Sequence, residues 1–143
     1  MGLIKKLKVD ERVAKVDFPD IDGFVVDVCY IGRDKRAKIR NQSLEMKFNK
    51  RTRSREEEVN LDKFLELYTE AVVKGWSGLT VRKLGDLMPI DMTGMDPNEE
   101  IPYSPEDALE LIKNSTLFDQ FVNDTIENFE INEDEAKAEE EKN

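Results

Sequence analysis

Gly23-Phe24-Val25-Val26-Asp27-Val28-Cys29-Tyr30-Ile31 is a run of β-branched and aromatic residues bounded by Asp22-Gly23 before it and Gly32-Arg33-Asp34 after it. Such a run reads as a strand, because these side chains pack well on a half-buried pleated surface. Val13 to Phe18 is a second, weaker strand. Pro19-Asp20-Ile21-Asp22-Gly23 between them has the residue types of a hairpin loop with a glycine at positive φ. A β-hairpin is therefore expected over residues 13–31.

Working outward, a basic stretch follows. Leu44, Met46 and Phe48 alternate with Glu45 and Lys47, the period of a short third strand. Residues 33–42 before it suit a helical turn or two. Beyond this point the signals become helical. Ser54-Arg55-Glu56-Glu57 fits a capping box, in which serine and glutamate satisfy orphan N–H groups reciprocally, and Asn60 competes as a cap. Leu61, Phe64, Leu65, Tyr68 and Val72 recur at helical spacing. Gly75 suits the left-handed residue that ends a helix, which places that end near Lys74.

Residues 88–103 carry Pro89, Gly94, Pro97 and Pro102 and are expected to form a long loop. Ser104-Pro105-Glu106-Asp107 starts another helix, with a cap, a proline at the first turn and early acids, running to about Asn114. Thr116 is expected to cap a third, whose apolar stripe is Leu117, Phe118, Phe121, Val122, Ile126 and Phe129. After Ile131 no apolar residue larger than alanine remains, so 132–143 is expected to be a disordered acidic tail. The fold class expected is α+β, mostly helical. The hairpin at 13–31 leads a body of three to five helices over about 55–131, all in one domain.

Composition bounds what such a fold does. Of 143 residues, 38% are hydrophobic and 38% charged, against about 45–50% and about 25% in an average globular domain, so part of the chain should be solvated. The formal charge of −10 is unevenly spread: residues 33–55 carry a net +8 and residues 119–143 a net −8. The single cysteine, Cys29, cannot form an intramolecular disulfide and sits in an apolar run, as a small core residue would. A reducing compartment fits. The start shows neither a signal peptide nor a membrane span, so a cytoplasmic location is expected.

The chemistry is sparse. There is no histidine, which removes the usual acid–base group near neutral pH, and one cysteine cannot build a zinc site. No phosphate-binding loop, dinucleotide fingerprint or nucleophile elbow is present. Asp20, Asp22 and Asp27, or Asp91, Asp96, Glu99 and Glu100, offer oxygen ligands but not calcium-loop spacing, and turn formation explains the first group. No enzyme, cofactor or metal is expected. Residues 33–55 could contact phosphates, but Phe48 is their lone aromatic and the rest of the chain repels nucleic acid. Nucleic-acid binding is accordingly disfavoured.

A resemblance adds to this reading. Val72-Val73-Lys74-Gly75-Trp76-Ser77-Gly78-Leu79, then Ile101-Pro102-Tyr103-Ser104-Pro105-Glu106, then Leu117-Phe118 opening a last helix, resembles the tail assembly chaperones of long-tailed bacteriophages. In that family a helix ends at a W-x-G-L turn and a P-Y-S-x-E segment opens the next. The match covers about 61–129. It implies a non-structural morphogenesis protein of the infected bacterial cytoplasm, absent from the finished virion. Such proteins bind the tape-measure protein and help tail-tube subunits polymerise around it. Self-association is left open, and Trp76, Tyr103, Phe121, Phe118 and Tyr68 are the candidate partner-binding anchors. The family also implies a longer frameshifted product, and Glu141-Lys142-Asn143 can be encoded on a slippery A-AAA-AAC heptamer. The alternatives are a phage protein that binds a host factor or nucleic acid through 33–55, or a virion connector component.

Overall fold

A computed structural model describes residues 2–8 and 11–142, with side chains up to residue 129. The chain opens on a short helix, α1 (Leu3–Leu7), whose Leu3, Ile4 and Leu7 are all exposed. Strands β1 (Glu11–Asp17) and β2 (Val25–Ile31) then form the expected antiparallel hairpin, with Val16 opposite Val26 and Ala14 opposite Val28. Its connection is closed by the Phe18 N–H donating to the Phe24 carbonyl at 2.9 Å. Asp20 and Gly23 take the positive-φ positions, at 66° and 82°. Both are residue types that tolerate the left-handed region.

The body is not mostly helical. Among the described residues there are five strands in two sheets alongside six helices. Helix α2 (Arg33–Gln42) leads into a separate two-stranded ribbon, β3 (Leu44–Asn49) and β4 (Ser54–Val59). The expected helix start at Ser54 is thus a strand. Leu44, Met46 and Phe48 supply a partner with period 2, and Glu56 and Glu58 pair across the ribbon with Asn49 (3.2 Å) and Lys47 (3.4 Å). Asn60 is the true cap of helix α3 (Leu61–Val72), accepting from the Lys63 N–H at 3.1 Å.

Gly75 does not end that helix either. It lies inside β5 (Val73–Ser77), which pairs with β2 so that Val26 faces Trp76 and Asp27 faces Gly75. A Cβ at Gly75 would stand 2.7 Å from the Asp27 carboxylate. The larger sheet therefore runs β1-β2-β5, with β1 on an edge. Helix α4 (Val81–Leu87) follows, then the long loop, whose exposed residues 91–100 return to pair at Thr80 and Glu100.

Helix α5 (Pro105–Asn114) starts as expected, with Ser104 accepting from the Asp107 N–H. Helix α6 (Thr116–Lys142) corrects one expectation. Its cap is Ser115, not Thr116: the buried Ser115 Oγ accepts from the Phe118 N–H at 3.1 Å and donates to the Leu87 carbonyl at 2.8 Å. The expected disordered tail, 132–143, lies outside the residues whose side chains are described. Asn143 and the side chains beyond 129 lie outside the described residues.

The core joins both halves. Phe24, Val26, Val28, Val72, Val73, Phe118 and Val122 are fully buried. Phe18 at the hairpin loop stacks on Phe24 (5.5 Å) and meets Phe121 of α6 (4.7 Å). Burying such aromatics contributes area and pair geometry together.

Candidate protein-docking groove

The free edge of β1 and one side of α6 enclose a groove of about 600 Å³. Val13, Ala14 and Val16 form one wall. Phe121 and Phe129 form the other, with Thr125 and Asn128 between them. Val13 is 53% exposed, so this wall is open to a partner. The groove continues past Phe121 and Asp124 into a second depression of about 280 Å³, lined by Phe18, Ile21, Leu117 and Gln120.

Along α6 the lining residues are Leu117, Gln120, Phe121, Asp124, Thr125, Asn128 and Phe129. That is one helical stripe, about 18 Å long at 1.5 Å per residue. The two depressions share Pro19, Phe121 and Asp124 and so adjoin as one elongated channel, in which apolar Leu117, Phe121 and Phe129 alternate with polar Gln120, Thr125 and Asn128. Its rim is acidic, with Asp17, Asp20, Asp86 and Asp124, and Arg12 stands at the β1 end.

The α6 stripe has two jobs. Phe118, Val122 and Ile126 point into the core and are buried. Leu117, 57% exposed, lies on the groove side with Phe121 and Phe129. The sequence signal for this was the width of the stripe, which exceeds what one buried helical face needs. Nothing in the sequence marked Val13 and Val16 as its other wall, because that contact is long-range.

The fold places four of the five anchor candidates in packing contacts away from the channel. Trp76 is buried, donates its indole N–H to the Ile101 carbonyl at 2.9 Å and meets Tyr103 edge-on at 5.1 Å. The Tyr103 hydroxyl donates to the Val73 carbonyl at 2.8 Å. Phe118 is wholly buried. Tyr68 is buried beneath a hydrogen bond from its hydroxyl to Asn123 Oδ1 at 3.0 Å. Burial pushes the hydroxyls of Tyr68 and Tyr103 above their ordinary range, with Asp119 and Glu127 adding to Tyr68 against Arg36, and Glu70 adding to Tyr103. Only Phe121 lines the channel.

The W-x-G-L and P-Y-S segments thus hold each other. Gly78, at φ 76°, presses so closely on the Gly23 carbonyl that a Cβ would overlap it. Leu79 is buried, and its carbonyl accepts from the Ile101 N–H at 2.8 Å.

Among the described residues no three acidic or cysteine side chains come together as a cation site requires, and no helix is long and apolar enough to cross a membrane. A family model described as a YdaY prophage protein matches residues 32–143. No curated protein and no solved structure matches the chain.

Proposed function

This chain is a phage-derived protein that belongs to the YdaY prophage protein family, and from that premise we propose that it is a tail assembly chaperone. In this reading the channel along α6 receives an amphipathic helix of the tape-measure protein. The chain works in the infected bacterial cytoplasm, keeps that long helical partner from aggregating while tail-tube subunits assemble around it, and leaves before the virion is complete.

The observation that carries the reading is the channel itself: a trough about 18 Å long beside an open strand edge, with Leu117, Phe121 and Phe129 spaced along it and four aspartates at its rim. Helix-in-groove recognition needs an apolar trough that accepts side chains at i, i+3, i+4 and i+7. The acidic rim favours a partner helix flanked by lysine or arginine, and it would speed encounter more than it tightens the complex. The resemblance of the Trp76 and Tyr103 segments to tail chaperones points the same way. Those segments build the scaffold, and the channel is the surface it presents.

Co-expression with the phage's own tape-measure protein tests this. Leu117→Lys and Val13→Asp change exposed side chains, so both variants should keep their circular dichroism and lose co-purification. Retained co-purification in both would overturn the reading. Purified virions should contain no peptides of this chain; their presence at stoichiometric levels would mark a structural component instead.

A further inference from the structure

The β3–β4 ribbon stands apart from the main sheet. Its strands pair with each other alone among the described residues, which leaves the outer edge of β3 without a strand neighbour. Residues opposite each other in an antiparallel pair point to the same side. One face therefore carries Leu44 with Val59, Met46 with Glu57 and Phe48 with Arg55. Met46 is 57% exposed, Phe48 61% and Val59 38%. The other face is polar: Lys47 lies 3.8 Å from Glu45 and 3.4 Å from Glu58. A two-stranded ribbon is marginal in water by itself, and an apolar edge strand is a template for further pairing.

We propose that β3 pairs antiparallel with β3 of a second copy of this chain, about a two-fold axis through Met46. The strand reads Leu44-Glu45-Met46-Lys47-Phe48 and is complementary to its own reverse. In this register Met46 faces the second copy's Met46, Glu45 faces its Lys47, and Leu44 faces its Phe48. By symmetry each unlike pair occurs twice. Sliding by one residue sets apolar side chains opposite charged ones. Sliding by two sets Glu45 against Glu45 in one direction and Lys47 against Lys47 in the other. The first slip breaks the alternation of faces and the second sets like charges opposite each other, so both are disfavoured and one register remains. A lysine on an edge usually blocks pairing; here Lys47 meets a glutamate and selects the register. The product is a four-stranded sheet, β4-β3-β3-β4, with Leu44, Met46 and Phe48 of both copies in one apolar face. This surface is separate from the α6 channel, so its fate does not depend on the tape-measure reading.

Cysteine cross-linking of the full chain decides it. Cys29 is buried, so an introduced surface thiol is the reactive one. Met46→Cys would place two thiols directly opposite, with Cβ atoms about 4.5–5.5 Å apart, near the reach of a disulfide. Mild oxidation should convert most Met46→Cys chains to dimer, while Glu45→Cys, facing a lysine, should stay largely uncoupled. In sedimentation velocity the unmodified chain should associate, and Glu45→Lys should weaken that association roughly tenfold, since the charge pair is duplicated by symmetry. Glu45→Lys with Lys47→Glu should restore it. An unmodified chain that stays monomeric, or a Glu45→Cys variant that cross-links as fully as Met46→Cys, would overturn the proposal.

Discussion

The Trp76 indole donates to the backbone carbonyl of Ile101, 25 residues further on, and this bond ties the end of β5 to the segment that leads into α5. Tyr103 returns the contact by donating to Val73 at the start of β5. The two segments that most resemble tail chaperones are thus one clasp. Replacing Tyr103 with Phe removes a single donor and should cost about 0.5–1.5 kcal/mol, the net worth of an ordinary hydrogen bond. Urea denaturation checks the figure, and tape-measure capture by the folded variant should be unchanged.

Gly78 should be the least replaceable residue of that clasp. Its φ of 76° and its contact with the Gly23 carbonyl leave no room for a Cβ. Gly78→Ala should destabilise by about 2–4 kcal/mol, combining backbone strain with overpacking against main chain that cannot rotate away. Gly94, at φ 78° but with open space around it, should cost clearly less when changed to alanine.

Much of the β-hairpin was legible because its signals are local: a β-branched run, a loop of aspartates and a glycine. The remaining strands were not. β5 is Val-Lys-Gly-Trp-Ser, which reads as a helix stop, and only its pairing with β2 makes it a strand. β4 is Ser-Arg-Glu-Glu-Glu-Val, whose serine and glutamate mimic a helix cap until Lys47 and Asn49 are set opposite. For the docking channel, the α6 side was readable as an over-wide apolar stripe. The β1 side required knowing which strand lies at the edge.

The correction at the α6 cap has a direct check. Ser115→Ala removes the acceptor for the Phe118 N–H and the donor to Leu87 in a buried setting. It should cost about 1–2 kcal/mol, whereas Thr116→Ala should change little. Paired thermal melts of the two variants distinguish the caps.

Alkaline pH should weaken the fold through its tyrosines. Burial raises the Tyr68 and Tyr103 hydroxyls above 10.0 in the folded chain. Above pH 10 the unfolded chain has therefore lost protons that the folded chain still holds. Stability falls as pH rises through that range and levels off once the folded hydroxyls ionise. Tyr68→Phe should flatten this part of the profile, measured by denaturation at stepped pH.

The central claim is that the α6 channel holds a tape-measure helix, and site-specific photo-crosslinking tests it most directly. A photoreactive residue at Leu117, in the channel, should capture the co-expressed tape-measure protein, and one at Leu61, exposed at the start of α3, should not. Peptide mapping should place the crosslinks at a helical spacing of three to four residues along the partner. Equal capture from Leu61 and Leu117, or none from Leu117 while the two proteins still co-purify, would contradict the account.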